Sequence, residues 1–408
     1  MTAPATTNQD QVVRTGADLI LSDASDLLRN KTVGILTNHT GLLSDGRSIV
    51  DAVAQSGLCR IKALYGPEHG IAGDTPDGKI VDHIRHPGYG IPVYSLYGRI
   101  HKPTKEMLQG VDLLLCDIQD VGARFYTFIS TIALCLEATA EQRIPFVILD
   151  RPNPIRGLDY DGPVRIPSLK SFIGWMPLPV THGLTIGELG SLWNEEGWLG
   201  PENSTSSRPL KAQLEVVPLK GWKRSMWYDE TRLRWVPPSP NMRTLSTAVV
   251  YPGLCFVEGT SLSEGRGTHS PFQIVGAPWV DPEKVLTHLR GFHTPGVSFA
   301  AEEFTPREIP GIASQPKHEG VQCKGIHITV TNRDMVKPVR LGVAVLAAFK
   351  RAHPDRTVFH VRRFDMLTGN PDVRHQLERN VPPEEICAGW IEELEKFGTV
   401  RSKYLMYS

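Results

Sequence analysis

Two continuous apolar runs constrain the fold of this chain more than any other feature. Residues 112–117 and 145–150 are apolar in their interiors and end in an aspartate, and a long helical pattern over residues 126–142 separates them. A strand that is apolar on both faces is typical of a parallel sheet covered by helices. Because parallel neighbours need a crossover helix, this order of elements predicts an α/β domain built on a parallel sheet.

The same alternation continues in both directions along the chain. We predict further strands over residues 32–38, 59–64, 91–95 and 214–219, and helices over residues 18–29, 48–56, 103–108 and 184–196. A proline-rich segment at residues 235–241 interrupts this pattern. Beyond it we predict a strand over residues 325–331 and helices over residues 339–351 and 384–397.

These elements predict an α/β domain with a parallel sheet, followed by a smaller α/β C-terminal domain. We place the first domain at residues 17–242 and the second at residues 243–408. Residues 1–16 are polar and show no periodic pattern, so we expect them to form a disordered lead.

Composition argues against several classes of protein. The chain has 44 basic and 44 acidic residues, so a general nucleic-acid binder is not expected. No apolar run reaches the roughly 18 residues of a membrane span. The polar N-terminus lacks the apolar core of a signal peptide, so we expect a cytoplasmic protein, or a periplasmic or secreted one if a signal has been removed. The oligomeric state stays open.

The loop after the second predicted strand carries three ionisable groups. Glu68, His69 and Asp74 lie in a glycine-rich stretch over residues 66–74. Open α/β sheets bind their ligands beyond the carboxyl ends of the strands, so this loop is a candidate site. The alternative is a surface turn whose glycines serve only the backbone conformation.

Polar side chains follow the other predicted strands as well. They are Asn38 and His39, then Tyr97, then Asp117 and Asp120, then Asp150 and Arg151. Because the carboxyl ends of parallel strands meet at one edge of a sheet, we expect these side chains to converge. The alternative for Asp117 and Asp150 is a helix cap or an ion pair with Arg124 or Arg151.

Several carboxylates without a metal or cofactor motif favour glycoside chemistry. One acid protonates the leaving oxygen while a second group stabilises or attacks the anomeric carbon. Candidate sugar-stacking rings are Tyr97, Tyr126, Trp175 and Trp235, and the alternative for each is a place in the core. The histidines fit no standard metal spacing, the six cysteines form no C-x-x-C pair, and no Gly-x-Gly-x-x-Gly follows the first strand, so neither a metal nor another cofactor is predicted.

A second glycine-rich loop, residues 258–268, places Arg266 between two glycines. Such an arginine can approach a carboxylate with both arms of its guanidinium. The alternative is a structural pair with Glu258 or Glu264.

Eight motifs, in order, resemble one family of proteins. They are GILTNHTG (34–41), YGPEHG (65–70), PVYSLYG (92–98), DIQDVGARFYT (117–127), LDRPNP (149–154), THGLTIGEL (181–189), PSPNM (238–242) and EGTSLSEGRGT (258–268). The chain resembles, from about residue 17 onward, the DUF1343 family, which is associated with exo-β-N-acetylmuramidases of the NamZ type. The resemblance implies a Rossmann-like N-terminal domain, a smaller α/β C-terminal domain and a cleft between them. It also implies release of non-reducing terminal N-acetylmuramic acid from peptidoglycan fragments, with Glu68 as the catalytic acid.

The remaining site residues are hypotheses built on that resemblance. Asp117 or Asp120 would have an orienting or stabilising role in the reaction. Arg124 and Arg266 would hold the lactyl carboxylate of the substrate. Contacts to the sugar would come from Asn38, His39, His69, Tyr97, Tyr126, Asn241 and Glu264. The second catalytic group is either another carboxylate or the acetamido oxygen of the substrate. Rival hypotheses are a sugar-binding protein without turnover, and an esterase or amidase that uses the same cleft.

Overall fold

The computed structural model describes residues 12–75, 78, 83–201 and 209–408. Seven strands before residue 242 form one sheet. They are β1 Thr32–Thr37, β2 Arg60–Gly66, β3 Ile84–Arg85, β4 Pro92–Ser95, β5 Leu113–Asp117, β6 Phe146–Leu149 and β7 Leu214–Val217. The helices of this part are α1 Gly16–Leu19, α2 Ile49–Ser56, α3 Thr127–Gln142 and α4 Ile186–Glu195.

The strand order is β3-β4-β2-β1-β5-β6-β7, and every pairing is parallel except that of β3 with β4. The chain therefore winds outward from β1 in one direction, returns to β5, and winds outward in the other. This is the doubly wound order, in which the reversal next to β1 leaves a crevice at the carboxyl ends of the strands. The prediction of a Rossmann-like parallel sheet is confirmed.

Strand register brings the predicted polar ends together. Leu36 pairs with Tyr65 between β1 and β2, and Thr37 pairs with Asp117 between β1 and β5. The segments that follow β1, β2 and β5 consequently leave the sheet side by side. The strand interiors are buried on both faces, as the apolar runs predict.

A second, smaller sheet follows residue 242. It is antiparallel in the order β8-β10-β9, with β8 Ile274–Ala277, β9 Val297–Phe304 and β10 Cys323–Val330. Its helices are α5 Leu245–Leu254, α6 Pro282–Leu289, α7 Pro338–Ala352, α8 Val361–Thr368, α9 Asp372–Glu378, α10 Pro383–Ala388 and α11 Ile391–Arg401. The prediction of a smaller α/β region is confirmed.

Two glycines let α5 and α7 cross with their backbones in contact. A Cβ added to Gly253 would lie 1.8 Å from the carbonyl oxygen of Pro338, and one added to Gly342 would lie 2.3 Å from that of Gly253. Neither position has room for a side chain. This crossing fixes α5, whose C-terminal end leads into the loop that carries Glu258.

One hydrophobic core joins the two parts of the chain. Phe125 packs edge-on against Tyr251 and Phe256, with ring centroids 5.4 and 6.2 Å away. The C-terminal residues also return to the first sheet. The Tyr407 hydroxyl donates to Oδ2 of Asp150, at the end of β6, and accepts the backbone N–H of Leu219.

Three helix predictions need correction. The predicted helix at 18–29 is replaced by α1, which ends at Leu19, and by a short 3₁₀ helix over Ser25–Leu27. Asp18 caps the start of α1, and just after its end the Ser22 hydroxyl competes for the carbonyls of Asp18 and Leu19. Residues 105–110 form turns rather than a helix. The helix predicted at 384–397 is interrupted between α10 and α11. At this break the indole N–H of Trp390 donates to Oδ1 of Asp161.

The predicted disordered lead lies mostly outside the described residues. Where the description begins, Val13 is buried and donates its N–H to Thr231, so order starts earlier than residue 17. Strands β8 and β9 and helices α6, α8 and α9 were not predicted. Within the described ranges, no helix is long and apolar enough to cross a membrane.

Candidate active site

A cavity of about 650 Å³ lies beyond the carboxyl ends of β2 and β4. Residues from both parts of the chain line it. From the first part come Glu68, His69, Gly78, Tyr97, Gly98, His101, Phe125, Tyr126, Thr127, Phe172, Ile173 and Ser239, and from the second Tyr251, Cys255, Glu258, Glu264, Arg266, Phe272, 313–317, Arg363 and Leu367.

Glu68 is held in this cavity by neutral donors. Its Oε1 accepts the backbone N–H of Gly78 at 3.0 Å, and its Oε2 accepts the hydroxyl of Thr127 at 2.7 Å. The carboxylate is 8% exposed. Burial and a hydrogen bond with Glu68 raise the pKa of Tyr97, so that phenol stays protonated and donates to the carboxylate.

The loop around Glu68 is fixed by its own backbone. His69 has φ +69°, a left-handed conformation that few non-glycine residues adopt, and its Nδ1 lies 2.7 Å from the carbonyl oxygen of Thr75. Gly73 also has a positive φ, and a Cβ there would lie 1.9 Å from Nδ1 of His39. The loop therefore closes tightly over His39. Burial lowers the pKa of His69, an effect opposed by the charge of Glu68.

A cluster of charges lies on the C-terminal part of the cavity wall. Glu258 pairs with Arg266 at 2.8 Å and with Arg363, while Glu264 pairs with Lys317 at 3.2 Å and with Arg266 at 3.5 Å. Among the described residues of this wall, three cations therefore face two carboxylates. We call these five residues the basic cluster.

Burial governs the electrostatics of the basic cluster. It lowers the pKa of Arg266 to about 10, together with repulsion from Arg363, and Glu68 opposes this shift. Burial also raises the pKa of Glu258, which Arg363 opposes. Lys317 is fixed by the backbone, since its ammonium donates to the carbonyls of Val257, Glu258 and Leu262 at 2.9–3.0 Å. The cations of the cluster are thus held in place by carboxylates and backbone carbonyls.

Six predicted site residues do not line the cavity: Asn38, His39, Asp117, Asp120, Arg124 and Asn241. Asp117 is fully buried and forms a two-armed ion pair with Arg151, with Nε–Oδ1 and Nη2–Oδ2 distances of 2.6 and 2.9 Å. Arg124 donates to the carbonyls of Pro163, Leu178 and Leu367. Both residues thus make structural contacts and neither lines the cavity, so the catalytic and substrate-binding roles assigned to them remain predictions.

The other four support loops near the cavity. Asn38 accepts the N–H and hydroxyl of Thr40, and Asp120 accepts the N–H of Gly122 at 2.6 Å. His39 bonds through Nε2 to the carbonyl of Pro237 at 2.7 Å, and burial lowers its pKa. The Asn241 amide donates to the carbonyl of Ile312, beside the 313–317 segment of the wall. These contacts hold the wall of the cavity in place, and none of the four side chains lines the cavity itself.

The four aromatic residues proposed to stack on a sugar also fall into two groups, those that line the cavity and those that do not. Tyr97 and Tyr126 line the cavity, whereas Trp175 lines a second cavity described below. Trp235 packs against Tyr228 and donates its indole N–H to the carbonyl of Arg243, which is a structural role.

Sequence reasoning missed Thr127, Tyr251, Lys317 and Arg363 as cavity residues, and gave Glu258 only as a partner of Arg266. Lys317 and Arg363 stand in segments without a recognisable motif, so nothing in the sequence pointed to them. Thr127 follows the DIQDVGARFY run directly and is the first residue of α3. A helix that begins just after a polar strand end often contributes to a site, so the sequence did contain a signal for Thr127. Among the described residues, no group of three or more His, Cys, Asp or Glu side chains is arranged to hold a metal ion.

The fold and cavity define an α/β protein with a carboxylic acid at a strand end that faces a basic cluster. Comparison with known proteins is more specific. Residues 33–246 match the family model "Exo-beta-N-acetylmuramidase NamZ, N-terminal", and residues 249–407 match the corresponding C-terminal model. The chain therefore belongs to the NamZ family.

Individual relatives agree with this assignment. The chain is 42% identical over 396 residues to the peptidoglycan β-N-acetylmuramidase NamZ of Bacillus subtilis (strain 168), covering 97% of this chain and 91% of that protein. Two crystal structures of DUF1343 family proteins from Bacteroides fragilis NCTC 9343 are also similar. One has a TM-score of 0.88 at 32% identity, covering 97% of this chain and 99% of the other. The second has a TM-score of 0.76 at 31% identity, covering 98% and 99%.

Proposed function

We propose that this protein is an exo-β-N-acetylmuramidase, a glycoside hydrolase that releases N-acetylmuramic acid from the non-reducing end of peptidoglycan fragments. Membership of the NamZ family and likeness to the Bacillus subtilis enzyme support the reaction class. The chemistry of the cavity supports the assignment of Glu68 as general acid.

One observation carries that assignment. Glu68 forms no ion pair with any described residue, whereas Glu258 and Glu264 are each held between two cations. A general acid must exchange a proton with the leaving oxygen, so its carboxyl cannot be committed to cations that hold the cavity wall together. Glu68 is the one of the three whose oxygens are held by hydrogen-bond donors alone, which supports its assignment as the general acid. Glu258 and Glu264 serve to position the cations.

The basic cluster matches the substrate in charge. N-acetylmuramic acid carries a lactyl carboxylate that N-acetylglucosamine lacks. A half-buried guanidinium such as that of Arg266 binds a carboxylate with directed, charge-assisted hydrogen bonds. This supports a preference for muramic acid over other N-acetylated sugars.

The test compares two leaving groups in wild type and Glu68→Gln. A para-nitrophenyl β-N-acetylmuramide leaves readily without a proton, while the sugar of a MurNAc–GlcNAc disaccharide needs one. Loss of the general acid should lower kcat on the disaccharide by about 10²-fold or more, and lower it much less on the nitrophenyl substrate. Glu283→Gln, at an exposed site, is the matched control.

Other outcomes separate the rivals. Equal disaccharide rates in Glu68→Gln and wild type would remove Glu68 from the reaction. Binding of muramic-acid glycans without any product from folded wild type would favour a sugar-binding protein. Release of acetate or of a peptide with the glycosidic bond intact would favour an esterase or amidase.

A further inference from the structure

A second cavity, of about 680 Å³, shares a wall with the first. His101 and Phe172 line both cavities, and their ring centroids are 4.1 Å apart. Tyr97 packs against both rings, at 5.9 and 5.8 Å. Because Tyr97 and Glu68 both line the first cavity, this aromatic wall runs from the cavity of the proposed general acid to the second cavity.

Trp175 forms the main apolar surface of the second cavity, and its ring is held in place. Its indole N–H donates to Oε1 of Glu137 at 2.9 Å. The other oxygen of Glu137 pairs with Lys102 at 3.3 Å, and Lys102 also pairs with Glu141 at 2.7 Å. The Lys170 ammonium lies 4.3 Å from the centroid of the indole. An aromatic ring fixed in this way is a rigid platform for a ligand.

The rim of the second cavity carries charges of both signs. They belong to Arg99, Lys102, Lys170, Glu137 and Glu141. Lys102 lies between the two glutamates, while Arg99 is exposed and forms no ion pair with any described residue. No residue of the basic cluster lines this cavity. It is therefore a separate surface that combines aromatic rings with an accessible cation.

We propose that the second cavity binds the leaving part of the glycan, that is, the sugars on the reducing side of the cleaved bond. This inference rests on the proposed function. A general acid lies next to the leaving oxygen, so the leaving sugars lie on the side of Glu68. From Glu68 the aromatic wall leads directly into the second cavity.

The chemistry of the cavity fits a leaving part of at least two sugars. The C–H face of a pyranose ring packs against aromatic rings, which Phe172 and Trp175 supply. The sugars of peptidoglycan alternate, so a second muramyl residue follows the first leaving sugar. Its carboxylate suits the exposed guanidinium of Arg99. The enzyme should accordingly prefer a tetrasaccharide with a terminal muramyl residue to the disaccharide.

The experiment measures kcat/KM on three substrates: the nitrophenyl muramide, the disaccharide MurNAc–GlcNAc, and the tetrasaccharide made of two such units. Trp175→Ala should lower kcat/KM on the tetrasaccharide by about tenfold, as expected for one lost aromatic contact. The nitrophenyl substrate, which has no leaving sugar, should fall far less. Trp175→Phe keeps a ring and should recover most of the loss.

Arg99→Ala carries the test if Trp175→Ala does not fold, because Arg99 is exposed. It should reduce the preference for the tetrasaccharide over the disaccharide, and Arg290→Ala, an exposed arginine elsewhere, should leave that preference intact. An unchanged ratio among the three substrates in every variant would overturn this inference while leaving the muramidase function in place. A wild type that cleaves none of the substrates would overturn both.

Discussion

The hydroxyl of Thr127 lies 2.7 Å from Oε2 of Glu68, and Thr127 is the first residue of α3. The proposed general acid, which stands in a loop after β2, is thereby fixed to the start of a helix that follows β5. This bond joins two neighbouring crossovers of the doubly wound sheet. It orients the carboxyl group without neutralising it, since the donor is a hydroxyl.

Thr127→Val removes this donor and keeps the shape of the side chain. A hydrogen bond to a charged group contributes about 1.5–3 kcal/mol, so we expect kcat on the disaccharide to fall by about tenfold or more. Thr127→Ser retains the hydroxyl and should keep most of the activity. Equal activity in the valine and serine variants would show that the hydroxyl does not position Glu68.

Arg266→Ala tests recognition of the lactyl carboxylate. Loss of a charge-assisted contact should lower kcat/KM on the muramide by about tenfold or more. On the methyl ester of the same substrate, which has no lactyl charge, wild type and variant should differ little. Arg266→Lys keeps the charge without the planar fork and should lie between them. An equal loss on acid and ester would assign Arg266 to the structure of the wall.

Asp117→Asn tests whether this aspartate is structural. The variant leaves the buried guanidinium of Arg151 without its counter-charge, so the free energy of unfolding should fall by about 3 kcal/mol or more. Below the unfolding temperature, kcat should stay close to wild type. Urea unfolding and disaccharide kinetics measure the two quantities. A large loss of kcat with unchanged stability would return Asp117 to the catalytic set.

His39 makes stability depend on pH. Burial lowers its pKa below the ordinary value of 6.5, so the unfolded chain binds more protons than the folded protein just below pH 6.5. Its stabilising contribution is present above pH 6.5 and is lost as the pH falls from 6.5 toward the folded pKa, at up to about 1.4 kcal/mol per pH unit.

Urea unfolding at pH 7.5 and 5.0 measures this effect. The drop in unfolding free energy between the two pH values should be smaller in His39→Gln than in wild type. His293→Gln, at an exposed position, should show the wild-type drop. An identical drop in all three proteins would exclude His39 as a source.

The fold followed closely from the sequence because buried parallel strands leave a strong local signal. The interiors of β5 and β6 are apolar throughout, and their spacing requires a crossover. Strand β9 left no such signal, since it is partly exposed and includes two adjacent glutamates. The helix predicted at 18–29 was wrong because Ser22 bonds to backbone carbonyls just after α1 ends, and no periodicity reveals such contacts.

Strand ends indicated where polar residues converge, but not which of them face the cavity. Glu68 and Asp117 both follow strands of the same sheet. Asp117 reaches Arg151, on the loop after β6, whereas Glu68 meets only neutral donors. Which partner each carboxylate meets depends on the directions of side chains that lie several residues beyond each strand. Arg363 lies 105 positions after its partner Glu258, and no local pattern encodes that pair.

The hydrogen bond between Tyr407 and Asp150 spans 257 positions. At a synthesis rate of about 5–20 residues per second, Asp150 emerges from the ribosome roughly 10–50 seconds before Tyr407. During that interval Asp150 has Thr185 and Gly187 as nearby partners, so the first sheet can assemble early. The cavity cannot assemble early, because its wall includes residues as late in the chain as Leu367. The nascent chain therefore acquires a folded first sheet well before it acquires a complete site.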